Sequence, residues 1–279
     1  MIAFGVACAI VSSITQALAH ALLRAGRDRL VIRALIGLTG AGLAAPVCAL
    51  VAPPTHALAP WLALSAAIHA VYQLTLIRAY EFAEFSVAYP VARGVAPVAT
   101  ALLGMLLLGE QVSSAAWLGI GLVTTGLLMI GGPRAVAGKG LLAAICAGLL
   151  TTGYTLVDAN AVRLAPNPLT FVAWFFVLDG LTMSSIALMM RRERLPGLLR
   201  QEWRMGVLAG GFSFLTYGAA LLALRWLATG VAAALRETSV VWGMVVARLW
   251  LRERLTTGRK FGAALVACGA ALIGLGFNH

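Results

Sequence analysis

The chain has 279 residues, of which 61% are hydrophobic and only 11% are charged, and its mean hydropathy is +0.92. A soluble globular protein of this length needs more polar surface than that, so the composition predicts a protein embedded in a lipid bilayer. The formal net charge of +11 would suit a nucleic-acid partner in a soluble protein. Here the basic residues occupy short gaps between apolar runs, without interleaved aromatic residues, and we expect no nucleic-acid partner.

Ten apolar segments of the sequence are long enough to cross about 30 Å of hydrocarbon as helices. They comprise residues 2–23, 31–51, 57–79, 86–108, 114–131, 140–161, 168–190, 205–225, 229–251 and 258–276. Prolines and glycines mark several gaps, and the basic run of residues 191–204 marks another. Because no basic residue precedes the first segment, we expect a helix there rather than a signal peptide.

The basic residues are distributed unevenly between the two sides of the predicted bundle. Seventeen of them fall in the odd-numbered gaps, whereas only Arg163 and Arg225 fall in the even-numbered gaps or at the termini. Since short loops rich in Lys and Arg stay in the cytoplasm, this bias predicts a multi-pass inner-membrane protein with both termini in the periplasm.

Two stretches of membrane length each enclose an arginine. SVAYPVARGVAPVATALLGMLLLGE, residues 86–110, contains Arg93, and TGVAAALRETSVVWGMVVARLWLRE, residues 229–253, contains Arg236. An offset of 143 residues superposes these arginines, the glutamates that end both stretches, and three later glycines. The superposed pairs are Glu110 and Glu253, Gly119 and Gly262, Gly126 and Gly269, and Gly131 and Gly274. The pattern indicates an internal duplication, with repeats at residues 1–133 and 138–279.

Each repeat contains five predicted helices, and this odd number gives the second copy the opposite orientation in the membrane. Two inverted copies are typical of secondary transporters that work by alternating access, with the substrate held near the middle of the bilayer. The alternative is a duplicated fold retained for packing alone.

The same two stretches resemble a known family. AYPVARGVAPVATALLGMLLLGE in the first half and VAAALRETSVVWGMVVARLWLRERL in the second are similar to the ten-helix EamA-type members of the drug/metabolite transporter superfamily, including the apolar run followed by Glu. The resemblance spans almost the whole chain. It implies an all-α membrane protein, with ten transmembrane helices as two inverted five-helix repeats, that moves a small organic metabolite, often outward. Superfamily members handle amino acids, nucleotide sugars, phosphorylated sugars and drugs, so the fold leaves the cargo open.

Arg93 needs a physical reason to lie inside a span, because an ionisable side chain there is costly unless it faces a partner or an aqueous cavity. Pro90 and Pro97 flank it and remove two helical N–H donors, so we expect a kinked helix beside the cation. Either Arg93 contacts the substrate, or it forms a structural or gating salt bridge. The candidate partners for that salt bridge are Asp28, Glu81 and Glu84.

Arg236 presents the same choice between substrate contact and a gate, here with Asp158 or Glu237. Asp179 lies near the centre of the seventh segment, where an unpaired ionised carboxylate is costly. It is therefore either a proton carrier or a structural carboxylate that is protonated or paired with arginine. Asp158, Asp179 and Glu237 are the predicted residues of proton coupling or gating.

Polar residues share a helical face in two of the segments. His69, Tyr72 and Gln73 stand at i, i+3 and i+4 in the third segment, and Gln16 and His20 are spaced likewise in the first. Such faces predict the lining of a polar cavity, although an intramembrane histidine also bridges helices and tyrosines also anchor helices at the membrane surface. The predicted substrate-contacting residues are Arg93, Arg236, Tyr89, His69, Tyr72, Gln73, His20 and Tyr217.

These features predict a secondary active transporter, an exporter or exchanger, for a small metabolite with a carboxylate or phosphonate group, such as an amino acid. The alternatives are an exporter of lipophilic cations, a membrane scaffold and, with less support, a membrane enzyme acting on lipid. The sequence contains no Walker loop, HExxH or GxSxG motif, and its four cysteines have no metal-ligand spacing. We therefore expect no enzymatic activity, metal or other cofactor.

The expected partners are the small-molecule substrate, the lipid bilayer and protons. Small residues recur along the fifth and tenth segments, and such ladders favour close helix packing. They suit contacts inside the bundle and a homodimer equally well.

Overall fold

The structure is a computed structural model that describes residues 1–23, 28–82, 85–131, 139–249 and 256–275. These residues form eleven α-helices and no β-strand. The helices are α1 (Ile2–Leu23), α2 (Arg29–Leu50), α3 (Ala59–Phe82), α4 (Phe85–Leu108), α5 (Ser114–Gly131), α6 (Lys139–Leu164), α7 (Pro168–Arg191), α8 (Leu195–Trp226), α9 (Thr229–Arg236), α10 (Ser239–Leu249) and α11 (Thr257–Leu275).

Among the described helices, four are long and apolar enough to cross a membrane, judged by length and composition. They contain the stretches Ile2–Ala19, Arg29–Leu50, Pro168–Arg191 and Leu195–Trp226, and shorter apolar stretches occupy Arg93–Leu108 and Ser114–Ile130. Large apolar side chains such as Leu106, Leu107 and Met189 are exposed on the outside of the bundle, as a lipid environment requires. The predicted fold class, an all-α membrane protein, is confirmed.

The predicted ninth segment, residues 229–251, is divided in two. α9 ends at Arg236, a turn follows at Glu237 and Thr238, and α10 begins at Ser239. In the turn, the N–H groups of Glu237 and Thr238 donate to carbonyls three residues back, at 3.1 and 3.2 Å. α4 is one continuous helix past Arg93, and the kink expected there stays a prediction. The interruption of the helix therefore lies beside Arg236.

The eighth helix begins earlier than the sequence suggested. α8 starts at Leu195, whereas the predicted segment starts at residue 205, so the basic run of residues 191–204 is largely helical rather than a gap. Pro196 lies in the first turn of α8, where a missing N–H is harmless. Arginine is also a good helix former, so the basic residues extend α8 beyond its apolar part.

A glycine determines how α4 ends. Gly109 adopts the left-handed conformation, with φ of 64°, and the N–H of Glu110 donates to the Gly104 carbonyl at 3.2 Å. This is the geometry of a glycine-terminated helix, in which the chain reverses and the last carbonyls stay bonded. It places Glu110 beside the start of α9.

Two pairs of helices cross at glycines. A Cβ on Gly180 of α7 would lie 2.5 Å from the Gly37 carbonyl oxygen of α2. Along α5 and α11, a Cβ on Gly119 would lie 2.7 Å from the Gly269 oxygen, and one on Gly126 would lie 2.5 Å from the Gly262 oxygen. The backbones can approach this closely only because side chains are absent there.

Candidate substrate site

The candidate site lies where α4 crosses the turn between α9 and α10. Arg93, Arg236 and Glu237 are buried there, with 6%, 7% and 3% of their surfaces exposed. Arg93 Nη1 lies 3.1 Å from Glu237 Oε1, so an ion pair joins the two predicted repeats. The pair lowers the cost of burying either charge alone, so removing one member should destabilise the bundle.

The sequence did not predict this partner for Arg93. Asp28, the described member of the three expected partners, accepts a hydrogen bond from Arg191 Nε at 2.9 Å instead. Glu81 and Glu84 fall where the structure describes no side chain. Glu237 was assigned to Arg236 because the two are neighbours in sequence, but the turn directs its carboxylate to α4.

Arg236 forms no ion pair with Asp158 or Glu237 among the described residues. Its guanidinium carbon lies 5.9 Å from the centre of the Tyr217 ring, which provides a cation–π contact. Arg236 Nε is buried without a hydrogen-bond partner in the described structure, and so is Glu237 Oε2. A buried cationic donor and a buried carboxylate oxygen are therefore both open to a further partner.

Asp158 on α6 is fully buried and links three helices. It accepts hydrogen bonds from the Ser65 hydroxyl of α3 and the Tyr217 hydroxyl of α8. His69 Nε2 lies 3.9 Å from Asp158 Oδ2. Sequence spacing gave no sign of Ser65, because it lies 93 residues from Asp158 along the chain.

Aromatic rings surround His69. Its ring centre lies 4.0 Å from that of Tyr154, 4.8 Å from that of Phe175 and 5.1 Å from that of Tyr217. Tyr72 extends the group, with its ring centre 5.3 Å from that of Tyr154. The predicted face of α3 therefore brings His69 and Tyr72 to the site, together with Tyr217.

Gln73, the third residue of that face, contacts a separate ion pair. Arg33 Nη2 lies 2.8 Å from Asp179 Oδ2, and Gln73 Nε2 donates to Asp179 Oδ1 at 3.3 Å. Arg33 Nε also donates to Gln73. Asp179 is thus the arginine-paired carboxylate of the two expected alternatives. Sequence reasoning missed Arg33 because it counted that residue with the loop before α2.

Two predicted residues cannot be placed at the site. Tyr89 belongs to α4 and His20 to α1, but their side chains lie outside the described part of the structure. Gln16, on the predicted face of α1 with His20, is buried, and its Oε1 has no hydrogen-bond partner in the described part of the chain.

A second polar network closes one end of the bundle. Glu110 Oε1 lies 2.6 Å from Arg163 Nη1, and Glu110 Oε2 accepts from the Thr229 N–H at 2.9 Å and hydroxyl at 2.7 Å. Arg163 also donates to the Leu224 and Leu227 carbonyls at the end of α8. Arg225 of α8 makes the reciprocal contact at the end of α6, where it donates to the carbonyls of Val162, Arg163 and Ala165.

We call Glu110, Arg163, Arg225 and Thr229 the Glu110 network. Its arginines satisfy the last carbonyls of two helices, and its glutamate satisfies the first N–H of α9. The sequence marked Glu110 only as a repeat position, and Arg163 and Arg225 only as basic residues on the expected outer side. Their mutual contacts follow from the fold.

The geometry defines a class of protein: an all-α membrane protein that holds charged side chains between its helices. Residues 138–275 match the EamA-like transporter family, so the chain carries an EamA-like transporter domain, consistent with the drug/metabolite transporter superfamily of small-molecule transporters. No curated protein matches the chain. A solved structure described as a crystal structure of a protein superposes with a TM-score of 0.71 and 18% identity, over 98% of each chain. This likeness supports the fold alone.

Proposed function

We propose that the protein is a secondary active transporter, an exporter or exchanger, for a small metabolite with a carboxylate or phosphonate group, such as an amino acid. The observation that carries the proposal is Arg236, a buried arginine at a break in a membrane-length helix. Its Nε has no hydrogen-bond partner among the described residues, and its guanidinium forms no ion pair there with Asp158 or Glu237. Interrupted helices with polar groups at membrane depth are how transporters hold polar ligands. A guanidinium also matches the planar, charged geometry of a carboxylate.

Alternating access between two inverted repeats, residues 1–133 and 138–279, is part of the proposal. The close contacts between α5 and α11 support it: the 143-residue offset converts the contact of Gly119 with Gly269 into that of Gly262 with Gly126. Two contacts that exchange in this way are expected of copies related by a two-fold axis.

The direction of the corresponding helices also supports inversion. Arg93 in the first half of α4 pairs with Glu237 after α9, whereas Gly104 near the end of α4 lies against Thr229 at its start. α4 and α9 therefore run in opposite directions, and they correspond under the same offset. The Arg93–Glu237 ion pair spans the two copies, so rocking one copy against the other would stretch it.

The proposed location is the inner membrane, with the termini and the Glu110 network on the periplasmic side. The basic residues expected on that side, Arg163 and Arg225, are both bonded to protein acceptors. Their charges are thus used in structural contacts on a side that is otherwise poor in basic residues. This supports the orientation derived from the distribution of Lys and Arg.

An exporter of lipophilic cations is the second candidate. The rings of Tyr154, Phe175 and Tyr217 lie near the buried carboxylate of Asp158, and aromatic faces with a carboxylate bind organic cations. Asp158 already accepts two hydrogen bonds, however, whereas Arg236 Nε has no described partner. The anionic substrate is therefore favoured.

Flux measurements distinguish the two candidates. Purified protein is first screened by thermal shift against amino acids, organic acids, phosphonates and tetraphenylphosphonium, because a ligand of the folded state raises Tm. Uptake of each hit into proteoliposomes is then measured for the wild type, for R236Q and for the matched control R200Q, which removes an exposed arginine of α8.

We expect an anionic hit whose flux falls at least tenfold in R236Q and is unchanged in R200Q, about 1.4 kcal/mol or more of lost binding. Transport of tetraphenylphosphonium alone would favour the cation exporter. Fluxes equal to those of empty liposomes for every compound would refute the proposal.

A further inference from the structure

A buried histidine and a buried aspartate face each other where α3, α6 and α8 meet. His69 has 5% of its surface exposed and Asp158 has none. His69 Nε2 lies 3.9 Å from Asp158 Oδ2 and has no hydrogen-bond partner in the described structure. The aromatic rings of Tyr154, Phe175 and Tyr217 enclose the imidazole.

The other ring nitrogen fixes the tautomer of His69. Nδ1 lies 3.0 Å from the Ser65 carbonyl oxygen, and a carbonyl oxygen only accepts hydrogen bonds, so Nδ1 holds a hydrogen atom. A neutral imidazole with its hydrogen on Nδ1 presents a lone pair at Nε2. That lone pair would then face a carboxylate oxygen, which is also an acceptor.

Two facing acceptors in a buried site are unfavourable, and one proton removes the conflict. With the proton on Nε2, an imidazolium faces a carboxylate; with the proton on Oδ2, a carboxylic acid faces a neutral imidazole. Either way the loaded pair is neutral, and the unloaded pair has one negative charge. In the described part of the chain no arginine forms an ion pair with Asp158, and Arg236 acts on its carboxylate only at longer range, so one proton neutralises the pair itself.

We infer that His69 and Asp158 together bind one transferable proton, taken from water and held either on Nε2 or on Oδ2, and that this is the proton of coupled transport. Asp179, the other aspartate in a span, differs from Asp158 because it forms an ion pair with Arg33 at 2.8 Å. The step from proton binding to transport rests on the proposed function, whereas the proton site does not.

The proton has a direct structural consequence. Asp158 accepts from Ser65 on α3 and from Tyr217 on α8, so it ties both helices to α6. A proton on Oδ2 competes with the Tyr217 hydroxyl and loosens the tie between α6 and α8. The charged and titratable groups that face the pair from the packed helices are Arg33 on α2, Tyr154 on α6, Asp179 on α7, Tyr217 on α8 and Arg236 on α9.

The test measures the proton without any substrate. Protein labelled with ¹⁵N-histidine is placed in lipid nanodiscs, the imidazole signals are followed by NMR from pH 5 to pH 9, and an infrared spectrum reports a protonated carboxyl. H69Q assigns the His69 signal among the four histidines, and H56Q serves as the matched control that removes a different one. Proton uptake per chain is counted with a pH indicator.

We expect His69 to hold its hydrogen on Nδ1 at the alkaline end and one further proton to enter the pair on acidification. D158N and H69Q each leave one titratable member, so each should move the pH of uptake by about one unit or more, a tenfold change in proton affinity. The double variant H69Q/D158N should bind one proton fewer per chain than the wild type. Melting curves of all variants serve as the control for folding.

An Nε2–H tautomer at the alkaline end, or a double variant that binds as many protons as the wild type, would overturn the inference. Proton uptake as expected without flux of any screened compound would refute the proposed function and leave the proton site standing. Flux of an anionic compound with an unchanged proton count in the double variant would refute the proton site and leave the proposed function standing.

Discussion

The Glu110 network and the cluster around Arg236, which comprises Arg236, Glu237 and His69, are both groups of polar residues between apolar helices. They differ in how completely their polar atoms are hydrogen-bonded. Both oxygens of Glu110 and three nitrogens of Arg163 have partners. In the cluster, Arg236 Nε, Glu237 Oε2 and His69 Nε2 have none in the described structure.

The difference separates structural polarity from functional polarity. Buried polar atoms are almost always hydrogen-bonded. A network in which every such atom has a partner is therefore explained by its structural role, here the satisfaction of helix ends. An incomplete network at membrane depth persists at a cost and marks a place where a ligand or a proton completes it. We therefore expect changes in the Glu110 network to alter stability, and changes at Arg236 to alter binding.

The largest effect on stability should come from breaking the Arg93–Glu237 ion pair. E237Q removes the Glu237 charge from the buried Arg93–Glu237 ion pair, and removing one member of a buried pair costs about 3–5 kcal/mol. The double variant R93Q/E237Q removes both charges and should recover most of that loss. Unfolding of the single and double variants by denaturant in mixed micelles gives the coupling between the two residues.

If E237Q unfolds like the wild type, the ion pair is not a structural contact, and the cluster around Arg236 contains less fixed charge than we describe. If R93Q/E237Q is as unstable as E237Q, the loss comes from the shape of the side chains rather than from an isolated charge.

The next largest loss of stability should come from the apolar contact between α5 and α11, and it gives a value with which the losses in both polar networks can be compared. G126A adds a Cβ 2.5 Å from the Gly262 carbonyl oxygen, and overpacking of this kind costs about 1–3 kcal/mol. G121A on the same helix meets nothing within 4 Å and is the matched control, expected to be neutral or slightly stabilising because alanine favours helix.

G262A tests the exchange of contacts between the two repeats. Its added Cβ would lie 2.7 Å from the Gly126 carbonyl oxygen, so its melting temperature should fall as much as that of G126A. A large difference between the two variants would argue against a two-fold relation between α5 and α11.

The sequence was sufficient for most of the fold because a long apolar run has few alternatives to a membrane helix. It was insufficient at the turn after α9, since residues 229–251 contain no proline and no glycine beside Glu237 to signal a break. It also named Glu237 only as a candidate partner of Arg236, whereas the ion pair in the structure joins Glu237 to Arg93 on α4. Of the site, it singled out Arg236 from its depth in a span, His69 from the polar face that it shares with Tyr72, and Asp158 as a candidate partner of Arg236.

Other partners were beyond sequence reasoning for the same physical reason. Arg33 and Asp179 are 146 residues apart, and Arg163 and Glu110 are 53 apart, so only the packed helices bring them together. Arg33 and Arg163 also looked like ordinary basic residues at the ends of spans. Depth in the membrane is visible in a sequence, whereas the choice of a partner across helices is not.

A smaller effect should follow from E110Q. Glutamine keeps the shape, and its single carbonyl oxygen can still accept from Thr229, but its NH2 group then faces Arg163. The variant therefore loses both the charge and the hydrogen bond of the contact with Arg163. Because 30% of the Arg163 side chain is exposed, the cost should be about 1–2 kcal/mol, below that of a fully buried pair. E193Q, at an exposed glutamate after α7, is the matched control.

E110Q and R236Q together test the comparison directly through ligand-induced stabilisation. E110Q should lower Tm but keep the Tm increase caused by an anionic ligand, whereas R236Q should keep Tm and lose that increase. An R236Q variant that melts like E110Q and still responds to ligand would remove the distinction between the two networks.

The smallest effect lies at the opposite end of the bundle, at Asp28, and depends on pH. Burial opposes ionisation of this carboxyl, but the hydrogen bonds from Arg191 and from the N–H groups of Val31 and Leu30 outweigh it, so the pKa of Asp28 is lowered from its ordinary value of 3.8. A lowered pKa in the folded state means that the ionised carboxylate stabilises the fold above the ordinary pKa. This contribution is lost as the pH falls through the lowered value.

D28N should therefore be less stable than the wild type by about 1 kcal/mol or less near neutral pH, since asparagine still caps α2 and loses only the charge and hydrogen bond of the exposed contact with Arg191. The two melting temperatures should converge as the pH falls from the ordinary pKa of 3.8 through the lowered pKa of Asp28, where the folded wild type gains its proton. A difference that persists to lower pH would mean that D28N disturbs the cap of α2 itself. Its cause would then be the backbone hydrogen bonds to Leu30 and Val31, not the ion pair with Arg191.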